Sequence, residues 1–464
     1  LDDLHPYIYR THDGGKSWQK IVSGLPENEP VNTVREDPER KGLLFAGTER
    51  TVYVSWDDGD HWQSLQMNLP PTSIRDLVVH HDDVVVGTHG RSFWILDNIT
   101  PLRQFSPEIA NAPAHLFAPQ LTYRVRRNNN TDTPLPPEEP AGENPPDGAM
   151  IDYWLNRAAS GAVTLEIVDA SSAKVVRRFS SADKPEPVNP KQFNVPMYWV
   201  RPARTLSAGA GMHRFVWDLT YPAPDVLTRD YPISAIFHDT PLYPLGATVL
   251  PGQYTLILTV NAKQHMQPLN IRMDPRVKTS PEDLRRQFEL DREIAEALHR
   301  DYEAVQQVRS LRSQLRALTG GSDQSASAAT AASKEKLAAI NTATDLDTKA
   351  ASIEGEEGDY RTRYLSTPEG RSLARLNGGL NALVSALDTA DAAPTTQQVA
   401  MFGELDKALE EQLSAWGQLK SKDIPALNEQ LKKAGLPLID LQKPVPGASD
   451  PTQITSQDRD KDEE

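Results

Sequence analysis

The sequence of 464 residues contains no cysteine. Disulfide bonds, thiolate metal sites and cysteine nucleophiles are therefore excluded, although this absence does not fix the cellular compartment. Long hydrophobic runs are also missing, because no apolar stretch approaches the roughly 20 residues that span a bilayer. The chain starts at Leu1 without an initiator Met or a signal peptide, so we expect that the start shown is not the start of the gene product.

Positive charge is scarce, since 49 Lys and Arg stand against 64 Asp and Glu, which gives a formal net charge of −15. Nucleic-acid binding depends on Lys and Arg contacts to phosphate, and no basic stripe with interleaved aromatic residues offsets the negative field. Nucleic acid is therefore not an expected partner. Hydrophobic residues make up 38% of the chain, enough for packed cores. The length has room for about three domains.

The first hundred residues contain a repeat. Residues 11–18 (THDGGKSW) recur 44 residues later as residues 55–62 (SWDDGDHW). A weaker offset of about 40 residues maps residues 47–48 onto residues 87–88, both Gly-Thr, and periods of roughly 40–45 residues with four short strands are typical of β-propeller blades. The repeat therefore predicts blades over residues 1–100.

Alternating apolar residues predict the strands of these blades. One blade has strands at 31–36, 43–47, 51–56 and 62–67, and the next has strands at 74–79, 84–87 and 92–96 without a fourth. Residues 1–22 supply the last two strands of an earlier blade. The total is about two and a third blades, whereas a closed ring needs roughly four to eight. We therefore expect the remaining blades to come from upstream in the same polypeptide or from a second chain.

The middle of the chain has the period of β-strands. After a linker at 101–112, apolar residues alternate at 151–155, 163–167, 215–219, 254–260 and 269–273. Asn and Pro clusters at 128–147 and a Pro-rich insertion near 183–205 interrupt this pattern. It predicts an immunoglobulin-like β-sandwich over 113–275.

From Ser280 onward the apolar spacing changes to three and four residues. Ser280-Pro281 is typical of a helix start, and a helix of about ten turns follows it. A Gly- and Ser-rich break at 320–333 precedes helices that follow Thr367 and Thr395, and a short helix near 424–434. We interpret 276–440 as an antiparallel helical bundle and 441–464 as an acidic disordered tail.

Both copies of the repeat follow the Asp-box pattern Ser/Thr-x-Asp-x-Gly-x-x-Trp. In it the Asp accepts main-chain N–H bonds across a tight turn, the Gly permits the unusual dihedral angle, and the Trp packs under the hairpin. These residues are predicted to be structural and to lie on the face of the blades away from the ligand: Asp13, Gly15, Trp18, Asp57, Gly59 and Trp62.

The Asp boxes, with residues 45–49 (FAGTE) and 86–97 (VGTHGRSFWILD), resemble those of bacterial neuraminidase-repeat proteins. The chain more closely resembles the large secreted bacterial proteins labelled glycosyl hydrolase or sortilin-like, in which propellers precede a sandwich and a helical tail. Residues 211–219 and 250–255 are similar to that sandwich. The resemblance implies a secreted, periplasmic or cell-surface protein. Unlike sortilin ectodomains, the chain lacks a cysteine-rich segment, which puts sortilin-type sorting in doubt.

The loops between the second and third strands of a blade open on the face opposite the Asp boxes. They carry Glu49, Arg50, His89 and Arg91, the residues that this chain would contribute to a ligand pocket. His89 suits proton transfer and Arg91 suits binding of a carboxylate or phosphate. The alternative is a charged rim that ends the strands.

Two functions compete. No complete catalytic constellation, cofactor motif or metal-ligand spacing is present, so for this chain alone we expect a glycan- or peptide-binding or assembly module without a cofactor. The alternative is a sialidase-like or glucanase-like glycoside hydrolase whose catalytic residues lie mainly in the missing blades. In that case Glu49 is the local candidate for a catalytic carboxylate.

Overall fold

The computed structural model describes residues 3–126, 142, 144–185, 196–231, 239–319, 331–355 and 371–443. Within these residues, five β-sheets precede residue 274 and five helices follow it, which confirms the predicted order of sheet and helix. Some predicted features lie outside the described residues: most of the Asn- and Pro-rich stretch at 128–147, part of the insertion near 183–205, residues 320–330 of the break at 320–333, the helix start at Thr367 and the acidic tail after residue 443. The last three residues of that break, 331–333, are helical, which the prediction of a break there did not anticipate.

The described part of the N-terminal region contains nine strands: β1 Tyr9–Arg10, β2 Gln19–Lys20, β3 Val31–Glu36, β4 Leu44–Thr48, β5 Val52–Ser55, β6 Gln63–Ser64, β7 Ile74–His80, β8 Asp83–Thr88 and β9 Phe93–Leu96. They form a first sheet of β1-β2, a second of β3-β4-β5-β6 and a third of β7-β8-β9, all antiparallel. The predicted strands are observed to within one residue, except that β6 is much shorter than predicted. That these sheets are propeller blades remains a prediction.

Two apolar clusters hold the three sheets together. The cluster between the first and second sheets contains Ile8, Ile21, Leu25, Leu44, Ala46, Tyr53 and Trp62. The cluster between the second and third sheets includes Leu43, Phe45, Val52, Val54, Ile74, Leu77, Val84 and Val86. The residues of β4 and β5 alternate between the two clusters, because successive side chains of a strand point to opposite faces. The second sheet is therefore covered on both faces.

A short helix, α1 (Thr100–Gln104), lies at one end of the second and third sheets and overlaps the start of the predicted linker at 101–112. The side chain of its Arg103 is buried, and its Nε lies 2.9 Å from Oδ2 of Asp37. Arg40 in return donates to three main-chain oxygens at the end of α1, which a helix leaves without intrahelical partners. These reciprocal bonds fix α1 against the sheets. A second short helix, α2 (Pro107–Asn111), follows.

The middle region has eight described strands: β10 Ala114–Leu116, β11 Thr122–Arg124, β12 Ala149–Leu155, β13 Thr164–Asp169, β14 Val175–Ser180, β15 Gly211–Trp217, β16 Gly252–Val260 and β17 Lys263–Met273. They form one sheet of order β10-β12-β15 and another of order β11-β17-β16-β13-β14. Buried residues of both sheets, among them Tyr153, Trp217 and Leu256, belong to one cluster. The two sheets therefore share a core, and the immunoglobulin-like assignment remains a prediction. The β11–β17 pair is parallel.

The helical region contains α3 Pro281–Thr319, α4 Ala331–Glu354, α5 Leu373–Leu387, α6 Thr396–Gln418 and α7 Ile424–Lys433. α3 begins as predicted, because Oγ of Ser280 accepts a hydrogen bond from the N–H of Asp283 at 3.1 Å. Thr395 and Gln398 form a capping box at the start of α6. α4 was not predicted, because alanine holds most of its buried positions and gives a weak apolar signal.

α3 packs against α4, α5 and α6, and all five helices contribute to one apolar cluster. The helices meet the middle region through ion pairs. Arg124 and Arg126 lie 2.5 and 2.8 Å from Oδ1 of Asp391, which is in the loop between α5 and α6.

Among the described residues, no helix is both long and apolar enough to cross a lipid bilayer.

Candidate functional site

The first strands of the second and third sheets share an irregularity. β3 has a register shift between Val31 and Thr33, and β7 has one between Ile74 and Asp76. The residues inside these bulges are Asn32 and Arg75. A bulge redirects the side chain of its extra residue, which is why bulges often border binding sites. Each of the two sheets therefore has one polar residue, Asn32 or Arg75, outside its regular strand pairing, near the start of its first strand.

The two bulge residues converge on Glu49, in the loop between β4 and β5. Nδ2 of Asn32 donates to Oε1 of Glu49 at 2.9 Å, and Nη1 of Arg75 lies 3.3 Å from the same oxygen. Asn32 also donates to the main-chain oxygen of Ile74 at 3.0 Å. The bonds from Asn32 to Ile74 and from Arg75 to Glu49 cross from the second sheet to the third, so Glu49 sits where two repeats meet. We call Asn32, Glu49, Arg75 and His89 the Glu49 cluster.

Hydrogen bonding favours the ionised form of Glu49. Its bond with Asn32 lowers the pKa of the carboxyl below the ordinary value, and the charges of Arg75 and His89 act in the same direction. Glu49 is therefore ionised at neutral pH and suited to accept hydrogen bonds from hydroxyl or ammonium groups. An ionised carboxylate also suits a base or nucleophile, but not a general acid.

The two predicted ligand loops, which carry Glu49-Arg50 and His89-Arg91, are both hydrogen-bonded to residues 72–73, just before β7. The N–H of Thr72 donates to the main-chain oxygen of Arg50 at 2.9 Å, and the N–H of His89 donates to that of Ser73 at 2.9 Å. The structure thus brings Glu49, Arg50 and His89 around residues 72–73. Their exposure differs, since Glu49 is partly covered while Arg50 and His89 are exposed.

Arg91 follows His89 in the same tight turn, in which Gly90 has φ of +83°. Its N–H donates to Oγ1 of Thr88 at 3.1 Å, and its main-chain oxygen accepts a bond from Nε1 of Trp94 at 2.9 Å. The Arg91 side chain is exposed. The bonds of its main chain therefore fix the turn and leave the guanidinium available to solvent.

Sequence reasoning missed Asn32, Ser73, Arg75 and also Glu29, which is 4% exposed. Oγ1 of Thr48 donates to Oε1 of Glu29, and the hydroxyl of Tyr53 donates to Oε2 at 3.4 Å. Burial and the nearby Glu29 raise the pKa of Tyr53. Neither a bulge nor the burial of Glu29 follows from an apolar pattern. An alignment of residues 31–33 with 74–76 would have paired Asn32 with Arg75.

The Asp turns lie between β1 and β2 and between β5 and β6, and the latter is at the end of the second sheet opposite the Glu49 cluster. Oδ1 of Asp13 accepts the N–H groups of Lys16 and Ser17, each at 2.9 Å. Oδ1 of Asp57 accepts the N–H of His61 at 2.9 Å. Gly15 and Gly59 have φ of +89° and +88°, a region that side chains with a Cβ rarely adopt.

The two Trp residues of these turns differ. Trp62 is 3% exposed, and its Nε1 donates to the main-chain oxygen of Ile21 at 3.0 Å. Trp18 is 61% exposed, and its Nε1 reaches only the oxygen of Gly15 in its own turn. Trp18 therefore contacts its own turn, but among the described residues no neighbouring sheet covers it as the first sheet covers Trp62.

Part of the N-terminal region matches a known family. Residues 7–88 match the Sortilin-Vps10 family model, described as "Sortilin, neurotensin receptor 3". The matched residues include both Asp turns, Glu49 and Arg75, and end just before His89. The sheets are therefore sortilin-like in sequence.

Two curated relatives are similar to the same region, and both are Vacuolar protein sorting/targeting protein 10. The protein of Pyrenophora tritici-repentis (strain Pt-1C-BFP) is 33% identical over 67 residues, which is 14% of this chain and 4% of the relative. That of Pyrenophora teres f. teres (strain 0-1) is 31% identical over 78 residues, 16% of this chain and 5% of the relative. The chain thus matches only a small part of each relative's length.

Similarity to solved structures is low. The extracellular domain of a putative one component system from B. thetaiotaomicron is 12% identical, with a TM-score of 0.17, and the match covers 59% of this chain and 29% of that one. The extracellular domain of a putative hybrid two component system from B. thetaiotaomicron is 13% identical, with a TM-score of 0.17. That match covers 58% of this chain and 29% of the other. Neither likeness is close enough to indicate a shared fold.

Proposed function

We propose that this chain is part of a sorting or binding module and that the Glu49 cluster contacts the ligand. The observation that carries the proposal is the convergence of Asn32 and Arg75, from two different sheets, on one oxygen of Glu49. Loops that a rigid scaffold positions commonly carry binding residues, and Glu49 lies in such a loop. The sortilin-like sequence of residues 7–88 supports recognition.

The ligand of this proposal is a glycan or a peptide. Ionised Glu49 accepts hydrogen bonds, while Arg50, Arg75 and His89 donate them, and this mixture fits hydroxyl and amide groups. In this proposal the N-terminal sheets are propeller blades, and the sheet pair and the helices position them at a cell surface, in the periplasm or outside the cell. The remaining blades belong to the same polypeptide or to a second chain.

The test uses immobilised glycan and peptide arrays as probes. Wild-type chain is expected to bind a subset of probes, and Glu49→Gln and His89→Ala are expected to lose at least tenfold in affinity for that subset, about 1.4 kcal/mol. Arg178→Ala is the matched control, because Arg178 is an exposed arginine on β14, in the middle region. Equal binding by Glu49→Gln and wild type would refute the proposed site.

The alternative function is glycoside hydrolysis, and the lowered pKa of Glu49 is the observation that favours it, since a nucleophile or base must be ionised. Chromogenic glycosides test it directly. Turnover by the wild-type chain that Glu49→Gln abolishes would establish catalysis. Absence of turnover together with retained array binding would leave the binding module as the function.

A further inference from the structure

The turn that carries Glu49 and Arg50 is organised around the hydroxyl of Thr48. Oγ1 of Thr48 accepts hydrogen bonds from the N–H groups of Arg50 and Thr51, at 3.2 and 3.1 Å. A hydroxyl has one proton and two lone pairs, so these two bonds use its capacity to accept. Its single proton is left for one of two acceptors, the main-chain oxygen of Thr51 at 2.9 Å or Oε1 of Glu29.

The third sheet has a similar turn, with no acid bonded to its threonine hydroxyl among the described residues. Oγ1 of Thr88 accepts the N–H of Arg91 at 3.1 Å and donates to the main-chain oxygen of Ser92 at 2.6 Å. The N–H of Thr88 donates to that oxygen as well, and the N–H of Thr48 makes the corresponding bond in the second sheet. Both turns therefore close by their own bonds, and Glu29 is an addition in the second sheet.

Each turn is also bonded to the segment that precedes the first strand of its sheet. The N–H of Glu49 donates to the main-chain oxygen of Pro30 at 3.1 Å, and the N–H of His89 makes the corresponding bond in the third sheet. The side chain one position before each acceptor adds a second bond, from Glu29 in the second sheet and from Thr72 in the third. Oγ1 of Thr72 donates to the main-chain oxygen of His89 at 3.3 Å. Glu29 and Thr72 therefore occupy equivalent positions.

The two equivalent side-chain bonds differ in chemistry and in burial. Glu29 and Thr48 are 4% and 0% exposed, whereas the bond in the third sheet joins two neutral groups and is only partly buried. A hydrogen bond to a carboxylate is stronger than one between neutral groups, and more so where water is excluded. The turn that carries Glu49 and Arg50 is therefore held more firmly than its counterpart.

The charge of Glu29 is not balanced by a cation. Among the described residues Glu29 forms no ion pair, and its second partner is the hydroxyl of Tyr53 at 3.4 Å. Burial of a carboxylate without a cation costs free energy. The charge of Glu29 is therefore not expected to stabilise the fold, so a variant that removes this charge separates positioning of the turn from stability of the sheets.

We propose that Glu29 is a positioning residue that acts through Thr48 and holds Glu49 and Arg50 where they meet the ligand. The inference rests on the proposed function, because it adds a residue to the same site. Glu29 does not contact the ligand in this proposal, since its side chain is buried. A turn that is already ordered loses less conformational entropy when the ligand binds, which strengthens binding.

Two measurements on the full chain test the inference: hydrogen exchange of residues 48–51 by mass spectrometry, and titration of the array probe that wild type binds best. Glu29→Met removes the carboxylate and keeps an unbranched side chain. It should speed exchange at 48–51, leave exchange at 88–92 unchanged and weaken probe binding about tenfold. The free energy of unfolding in urea should be unchanged or higher, because a buried charge without a cation is removed.

Glu29→Gln and Tyr53→Phe are the matched controls. Glu29→Gln keeps an oxygen that accepts the proton of Thr48, so it should recover most of the lost affinity. Tyr53→Phe removes the other bond to Glu29 without changing the turn, so it should bind the probe as wild type does. Equal losses of affinity in Tyr53→Phe and Glu29→Met would indicate general loosening of the region and would overturn the positioning role.

The same measurements separate this inference from the proposed function. If Glu49→Gln loses the probe while Glu29→Met keeps both its affinity and its slow exchange, the site stands and the role of Glu29 is refuted. If wild type binds no probe, the proposed function fails. Faster exchange at 48–51 in Glu29→Met would then still show that Glu29 holds the turn, and unchanged exchange would refute that as well.

Discussion

Asp37 in the N-terminal sheets and Asp301 in the helical region are both buried, at 3% and 0% exposure, but their partners differ. Oδ1 of Asp37 accepts the N–H groups of Glu39 and Arg40 at 2.8 and 2.6 Å, and Arg103 contacts both of its oxygens. Asp301 accepts one bond, from Nδ2 of Asn377 at 2.8 Å, and its Oδ1 has no partner among the described residues.

Two carboxylates of similar burial thus meet different numbers of donors, and we expect the number of donors to decide whether such a carboxylate stabilises its region. Burial raises the pKa of Asp301 to about 7, and the single bond from Asn377 opposes this only in part. In the N-terminal sheets, Asp37 accepts hydrogen bonds from Arg103 and from two main-chain N–H groups. In the helical region, the pKa of Asp301 is close to neutral pH, so Asp301 gains or loses a proton there.

Arg103→Ala is expected to have the largest effect. It leaves Asp37 buried without its cation, which typically costs about 3–5 kcal/mol of unfolding free energy. Urea denaturation measures the loss. Arg35→Ala is the matched control, because its pair with Asp76 is exposed on both sides and should contribute less than about 1 kcal/mol. Equal losses in the two variants would contradict the comparison.

Asp301→Asn is expected to have the next largest effect, with the opposite sign. The folded pKa of Asp301 is raised, so its contribution to stability is present below the ordinary carboxyl pKa and is lost as the pH rises through about 7. The variant should therefore be more stable than wild type by roughly 1–3 kcal/mol near pH 8, with a smaller difference near pH 5. Urea denaturation at both pH values measures this.

Asp291 provides the control for that experiment. Burial and the charge of Asp388 raise its pKa to about 7 as well, so it adds a separate pH dependence. Asp301→Asn should therefore remove only part of the wild-type slope, and the double variant with Asp291→Asn should remove more. A pH slope that neither substitution changes would show that these two acids do not titrate in the folded state as proposed.

Asp57→Ala is expected to have the smallest effect. Asp57 has donors, like Asp37, but its side chain is 46% exposed. Loss of its hydrogen bond from the N–H of His61 should cost about 1 kcal/mol of unfolding free energy. Asp57→Asn keeps an acceptor oxygen and should recover most of that loss in thermal unfolding. A loss as large as that of Arg103→Ala would mean that donors matter equally at exposed and buried sites.

The sequence alone predicted much of the fold. Alternation located β3 to β5 and β7 to β9 within a residue, and Ser280 marked the start of α3, because these signals are local. It failed on α4, whose alanines carry little hydrophobic contrast. It did not show that Trp18 is exposed while Trp62 is buried, because a repeat shows that two residues are equivalent but not whether a neighbouring sheet covers them.

For the candidate site, the sequence identified the loops that carry Glu49, Arg50, His89 and Arg91, because loop position follows from strand order. Only the tertiary structure added Asn32, Arg75 and the buried Glu29. A bulge depends on how one strand pairs with the next, and the bond from Arg75 to Glu49 joins residues 26 positions apart in neighbouring sheets. The sequence by itself determined which turns and strands form. Packing decided which side chains meet, because that depends on contacts between elements that no local pattern contains.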